Sequence, residues 1–292
     1  MTIADKWNEY EILDCGEGQK LERWGKEGEK LVLSRPDPQA IWPKEKPELW
    51  NTADAVYIRN AGGGGKWTFP TGKTIPEKWI ISYQNLKFWI RPTEFKHTGI
   101  FPEQGPNWDW LINKIKEENQ RELNILNLFA YTGAATLACA FAGAKVCHID
   151  ASKGIVEWAK ENLVVNNLTE KPVRFIVDDV LKFVEREKRR GMKYDGIIMD
   201  PPSFGRGSKG ETWKIEKDLW PLVKSCVGIM SDNPVFFIIN SYTSGLPSQV
   251  MVNILDSAFE KIGGSISAEE LSLPIKNSNK LLPAGSTVRW EK

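Results

Sequence analysis

Histidine is nearly absent: the 292 residues contain only His97 and His148, too few for a histidine-based metal centre. Cysteine is scarce as well. Cys15, Cys139, Cys147 and Cys226 have neither C-x-x-C nor zinc spacing. They read as small buried hydrophobes in a reduced compartment, with no disulfide framework and no metal site. Neither sign of charge dominates, since 39 Lys and Arg face 38 Asp and Glu. A net charge of +1 gives no global argument for a polyanionic partner, although it leaves room for a local patch. No apolar run reaches membrane length, and the N-terminus lacks a basic segment followed by an apolar one. A soluble, cytoplasmic protein is therefore expected.

Tryptophan is abundant instead, and it is unevenly placed. Nine of the 13 (Trp7, Trp24, Trp42, Trp50, Trp67, Trp79, Trp89, Trp108 and Trp110) fall before residue 111. In the same region short alternating runs, Tyr10 to Asp14, Leu31 to Ser34, Ala55 to Arg59, Trp79 to Ser82 and Leu86 to Ile90, are separated by Gly, Pro and Asn. The pattern predicts short antiparallel strands. Their tryptophans form the core of a small β domain or, as the second reading, a stacking surface for bases. Gly62-Gly63-Gly64-Gly65-Lys66 imitates a phosphate loop, but Trp67-Thr68-Phe69-Pro70 follows where a helix is needed, so it reads as a hairpin tip. The loop Phe95 to Trp110 leads into a helix predicted over Trp108 to Glu118, and reads either as a lid or as a linker.

The rest of the chain is organised around Leu123 to Asp150. An apolar run ending at Leu128, a turn Tyr131-Thr132-Gly133, an alanine-rich segment to Phe141 and the run Lys145 to Asp150 read as strand, turn, helix, strand and acid. The turn Tyr131 to Thr136 has one glycine, with neither G-x-G-x-x-G nor G-K-[ST]. Dinucleotides and nucleoside triphosphates need several backbone N–H groups around their phosphates. S-adenosylmethionine (SAM) has no phosphate and bears a positive sulfonium, which one close backbone approach and nearby carboxylates suit. An ordinary βαβ unit is the competing reading.

Strand and helix go on alternating. Helices are predicted at 152–166, with Ser152 as the cap, and at 180–190, 216–230 and 248–262. Strands are predicted at 173–177, 194–199 and 235–240, with a closing pair at 266–273 and 286–290. Such alternation implies a mostly parallel sheet, whose ligands bind beyond the carboxyl ends of the strands. Gly133, Asp150, Asp179 and Asp200 each follow a different predicted strand. Asp150 is placed to take ribose hydroxyls, and Asp179 with the Val180 N–H to read adenine.

Asp200-Pro201-Pro202-Ser203-Phe204-Gly205-Arg206-Gly207 completes a resemblance. The chain resembles class I SAM-dependent methyltransferases, and among them it is similar to the group of bacterial large-subunit ribosomal RNA cytosine-5 methyltransferases. The matching residues are Asn127 to Gly133, Asp150 with Ser152, Asp178-Asp179, Asp200 to Gly207 running on to Trp213, and Thr98 to Gln104. The resemblance implies an α/β fold: a Rossmann-like seven-stranded sheet with its last strand antiparallel, preceded by a smaller β-rich domain. Residues 1–107 become a tryptophan-rich recognition or cap domain and 108–292 the methyltransferase domain. The implied cofactor is SAM, held by Phe101, Gln104, Ala130, Tyr131, Thr132, Gly133, Thr136, Asp150, Ser152, Asp178, Asp179, Val180 and Asp200. Asp200, Pro201 and Phe204 are the implied catalytic residues, and RNA, ribosomal RNA in particular, the implied substrate.

One departure bears on the chemistry. In the cytosine-5 enzymes a cysteine follows the fifth strand, because ring carbon C5 becomes nucleophilic only after a thiolate adds at the neighbouring C6. This chain has Asn240-Ser241-Tyr242-Thr243-Ser244-Gly245, with Thr243 in that place. Asp-Pro-Pro motifs instead suit a planar amine, which donates to the acid and a proline carbonyl. Arg206, Lys209 and Lys214 then stand as phosphate contacts or as a solvated charged loop. Two other readings remain open: a protein or small-molecule acceptor, and a SAM- and RNA-binding factor without catalysis.

Overall fold

The computed structural model describes all residues except 27, 29, 61–63, 95, 119–120, 208–209 and 244, and the side chain of residue 71. Gly62, Gly63, Phe95, Lys209 and Ser244 of the sequence reading thus lie outside the described residues. The chain divides into two compact units, one made of Met1, Asn107–Leu271 and Gly285–Lys292, the other of Thr2–Pro106 and Ser272–Ala284.

The larger unit contains α1 (Gly105–Glu117, from Asn107 on), β1 (Asn124–Leu128), α2 (Ala134–Phe141), β2 (Lys145–Asp150), α3 (Lys153–Val165) and β3 (Val173–Val177). After these come α4 (Val180–Arg189), β4 (Gly196–Met199), α5 (Ile215–Val227), β5 (Phe236–Ser241), α6 (Ser248–Phe259), β6 (Ser265–Pro274, up to Leu271) and β7 (Leu281–Glu291, from Gly285 on). The sheet order is β6-β7-β5-β4-β1-β2-β3. Strands β1 to β5 pair in parallel, and β7 runs antiparallel to β5. This is the expected Rossmann-like α/β sheet.

Strands covered on both faces must be apolar throughout. Accordingly all six residues of β5 are buried, and Ile197, Ile198 and Met199 of β4 are too. The core on one side gathers Phe183, Leu219, Leu222, Phe237 and Leu255, and Phe259 stacks on Trp290 at 4.0 Å. Register brings the strand ends level: Leu128 pairs with both Ile149 and Met199, and Asp150 with Val177. The loops carrying Gly133, Asp150, Asp178 and Asp200 therefore leave the sheet side by side. Ser152 departs from expectation. It stands at the N-cap of α3, but its side chain makes no cap bond; instead its N–H donates to Asp150 Oδ1 at 2.9 Å.

The smaller unit holds a five-stranded sheet in chain order, Tyr10–Gly16, Gln19–Trp24, Leu31–Pro36, Ala55–Arg59 and Gly65–Thr68, and a separate hairpin, Trp79–Tyr83 with Leu86–Ile90. Expectation fails at two points. Leu31–Pro36 pairs with Ala55–Arg59 in parallel, because the long connection through the helical turn Pro47–Thr52 brings the chain back in the same direction. Gln19–Trp24 was hidden by its charges, since Glu22 is buried under an Arg35 guanidinium that donates to both carboxylate oxygens (2.6 and 2.7 Å), while Tyr10 Oη donates at 2.7 Å. Burial alone would raise Glu22, but Arg35 and Lys20 outweigh it and hold the carboxyl at about 2. Trp7, Trp24 and Trp108 are buried, and the other six early tryptophans are half-buried, so core is the better description of them than an open stacking surface.

Segment 98–104 is built into this unit. Thr98, Ile100, Pro102, Glu103 and Gln104 are buried, Trp7 Nε1 donates to Pro102 O at 2.9 Å, and Phe101 packs 5.3 Å from the His97 ring. That is neither an exposed linker nor a loose lid. Burial pushes the Glu103 carboxyl up to about 7 against the pull of Lys20 and Arg35. The native state then holds this proton more tightly than the unfolded chain, so the stabilisation is present below the ordinary glutamate range and is lost as pH rises through 7. Glu103→Gln is expected to gain on the order of 3 kcal/mol over the parent at pH 9 and little at pH 4. Urea unfolding at both pH values checks this, and parallel pH profiles for the two proteins would refute it.

Candidate functional site

The turn after β1 is held from several directions. Phe129 and Tyr131 have left-handed φ angles of 53° and 50°, and Gly133 one of 88°. A Cβ on Gly133 would stand 3.1 Å from the Ala159 Cβ of α3, so glycine is required both by the backbone and by the closeness of that helix. The Ala130 N–H donates to Ile149 O (3.0 Å), the Tyr131 N–H to Asp150 Oδ2 (3.0 Å) and Asn162 Nδ2 to Thr132 O (3.0 Å). Ala130 and Thr132 are buried; Tyr131 is half-buried.

Thr136 faces inward. It is buried, accepts from Asn127 Nδ2 at 2.9 Å and lies 3.0 Å from His148 Nδ1. Burial holds His148 down at about 3, so the ring is neutral at ordinary pH. This Asn127-Thr136-His148 line joins β1, α2 and β2 beneath the turn. Sequence reasoning had no access to it, because it joins residues whose only common feature is position in the sheet.

Asp150 lies half-exposed at the end of β2, its two oxygens taking the Tyr131 and Ser152 N–H groups. Burial raises its pKa from the ordinary value, and the backbone donors oppose that. At the end of β3, Asp178 accepts from the Asp179 N–H (2.9 Å) and pairs with Arg186 (2.7 Å). Asp179 caps α4 by accepting from the Lys182 N–H at 3.0 Å, and Val180 beside it is buried. A cap is the commonest use of an aspartate at this position.

Asp200 directly follows β4, half-buried, with its N–H directed to Leu128 O at 3.4 Å. Pro201 is buried, and the Pro202 carbonyl accepts from Trp213 Nε1 at 2.7 Å. Next along, Ser203 Oγ meets Thr243 Oγ1 at 2.7 Å, joining the loops that follow β4 and β5. Phe204 then opens a hairpin, Phe204–Arg206 with Thr212–Lys214, which the sequence had not revealed. Behind β5, Asn107 of α1 donates to Asn240 Oδ1 (3.0 Å) and accepts from Arg289 Nε (3.1 Å). This buried network fixes the end of β5, from which Thr243 follows. All four cysteines are free and buried; burial pushes Cys15 up to about 12 and also raises Cys139, Cys147 and Cys226.

The larger unit thus brings together the Ala130 to Gly133 turn, Asp150, Ser152, Asp178, Asp179, Val180, Asp200, Pro201 and Phe204 around four adjacent strand ends. Phe101 and Gln104 belong to the smaller unit. Carboxylates and a single-glycine turn fit a cationic, phosphate-free cofactor better than a nucleotide phosphate. Among the described residues no helix is long and apolar enough to cross a membrane.

The profile of a family described as S-adenosylmethionine-dependent methyltransferase matches residues 66–228, more than half of the chain. A solved SAM-dependent methyltransferase from Agrobacterium tumefaciens is 36% identical, with a TM-score of 0.93 over 99% of this chain and 92% of that one. Among curated proteins, a ribosomal RNA large subunit methyltransferase K/L from Pseudoalteromonas atlantica is 32% identical over 154 residues, 52% of this chain and 21% of the relative. A ribosomal RNA large subunit methyltransferase K from Neisseria meningitidis serogroup B is 27% identical over 176 residues, 60% of this chain and 48% of the relative. The chain therefore spans between about a fifth and about a half of the length of these curated relatives.

Proposed function

Because the chain belongs to the S-adenosylmethionine-dependent methyltransferase family, we propose that it transfers the methyl group of SAM to RNA, with ribosomal RNA as the first substrate to test. The names of the curated relatives support the choice of RNA. The observation that carries the chemistry is the level arrangement of the Gly133 turn, Asp150 and Asp200 at the ends of β1, β2 and β4.

SAM supplies an electrophilic methyl group, and the residues of this chain have to orient it and the acceptor. Asp150 takes the ribose hydroxyls, and the Ala130 to Gly133 backbone and Ser152 border the cofactor. Asp178, Asp179 and Val180 form the adenine side of the site. Thr136 serves at one remove, by holding the turn through Asn127 and His148. On the acceptor side the Asp200 carboxylate and the Pro201 carbonyl receive the N–H groups of a planar amine. Positioning and preorganised charge are the sources of rate in such an in-line displacement. The buried cysteines and the hydroxyl of Thr243 support a nitrogen acceptor over a carbon that needs a thiolate, since an alcohol without a strong base is no substitute for one. Phe101 and Gln104 lie in the smaller unit, and that unit, 1–107 in the sequence reading, stays in the proposal as the recognition domain.

The test is transfer of labelled methyl from SAM into separated RNA, protein and small-molecule fractions of a cell extract. Label in RNA is the expected result, followed by nucleoside digestion to identify the atom. Label confined to another fraction would replace RNA by that acceptor class, and SAM binding without transfer would favour a non-catalytic role.

A further inference from the structure

The segment between Asp200 and α5 is a two-stranded hairpin whose pairing sorts its side chains. Phe204 pairs with Lys214, Gly205 with Trp213 and Arg206 with Thr212. Because side chains alternate along a strand, Phe204, Arg206, Thr212 and Lys214 share one face, and Gly205 and Trp213 share the other. The two faces differ sharply. Trp213 is 6% exposed and Phe204 51% exposed, and Arg206, Thr212 and Lys214 are exposed with it.

The buried face anchors the hairpin. Trp213 donates to Pro202 O at 2.7 Å and lies 4.9 Å from the Phe129 ring beside the turn after β1; the Ile215 N–H donates to Ser203 O at 3.1 Å. These bonds fix the exposed face next to the Asp200-Pro201-Pro202 loop. That face carries one aromatic ring, a guanidinium 5.8 Å from the ring centroid, a hydroxyl and an ammonium, and no carboxylate. Of the neighbouring acids, Glu211 pairs with Lys182, and Asp218 accepts from the Lys214 backbone N–H.

Resting on the RNA reading above, we propose that this face binds a single-stranded RNA segment at the acceptor site. Phe204 stacks on a base, and Arg206 and Lys214 hold the phosphates beside it. An exposed aromatic among cations fits both components of a nucleic acid strand, the π-face and the charge. A duplex keeps its bases stacked inside and offers only the second, so single strands are the preferred form.

The experiment measures anisotropy of a labelled mixed-sequence oligoribonucleotide, single-stranded or annealed to its complement, with the full chain across a salt series. Phe204→Ala is expected to weaken single-strand binding about 5- to 150-fold, with Phe204→Trp restoring it. The double variant Arg206→Gln, Lys214→Gln is expected to lower the slope of log K against log salt by about 1.4. SAM affinity, followed by calorimetry, reports whether the fold and cofactor site are intact. Parent protein that binds RNA, with variants that match it in affinity and slope, would overturn the hairpin proposal and leave the RNA reading standing. Equal affinity of the parent for single strand and duplex would overturn the choice of strand form. Parent protein that binds no RNA would overturn the reading on which the proposal rests.

Discussion

Asp200→Ala is expected to lower methyl transfer by about 10²–10³-fold or more at saturating SAM, with the affinity for SAM retained. Asp200 begins the loop at the end of β4, beside the turn after β1 and ahead of Pro201, whereas the Pro202 carbonyl is already engaged by Trp213. In the proposed mechanism the Asp200 carboxylate and the Pro201 carbonyl are the pair of acceptors for a planar amine. Their role is to fix the direction of a lone pair, and misplacement by about 1 Å at such a step costs some 10²-fold. Asp200→Asn is the sharper variant, because it preserves shape while replacing one acceptor by a donor, and it is expected to be nearly as impaired as the alanine variant. Single-turnover transfer and calorimetry separate the outcomes. Loss of SAM binding by a folded variant would move Asp200 to the cofactor side, and full activity would remove it from catalysis.

Much of the larger unit was legible because its strands obey a single simple demand. A strand covered on both faces is a short apolar run, and β1, β2, β4 and β5 stand out as such between helices of ordinary composition. The residue after each run is then automatically at the ligand-binding end of the sheet, which is how Asp150 and Asp200 could be named in advance. Whether such an acid caps a helix or meets a ligand was not legible, and Asp179 shows why: its cap to Lys182 and a ligand contact would leave the same sequence. The smaller unit read less well for a related reason. Glu22 and Arg35 satisfy one another inside the sheet, so Gln19–Trp24 lacks the apolar alternation of a strand. The hairpin at Phe204 was obscured by its brevity, three residues a side around a glycine-rich connection. Partnerships such as Asn107 with Arg289 depend on the order of strands across the sheet, which no local pattern encodes.

Asp150→Ala should weaken SAM binding by about 2–4 kcal/mol, roughly 30- to 1000-fold in Kd. The reason lies in how its carboxylate is already used. Oδ2 receives the Tyr131 N–H and Oδ1 the Ser152 N–H, so one acidic group pins the turns that follow both β1 and β2. A carboxylate has about four acceptor sites, so with the backbone N–H groups of Tyr131, Ser152 and Ala151 directed to it there is still capacity for a ribose hydroxyl. Alanine removes the pins and the ligand contacts together; asparagine keeps one acceptor oxygen and is expected to lose less. Acidity separates the two effects by sign. Burial raises the pKa of Asp150, so the native state takes up its proton more readily than the unfolded chain, and this group's contribution to stability falls as pH rises through that raised value. Binding changes in the opposite direction, since a protonated carboxyl loses acceptor capacity and SAM affinity should fall as pH is lowered through the same range. Calorimetric titrations over a pH series on the parent and on Asp150→Ala test this. The parent should lose affinity on acidification and the variant should be flatter and weaker throughout; equal affinities at neutral pH would remove Asp150 from the ribose role.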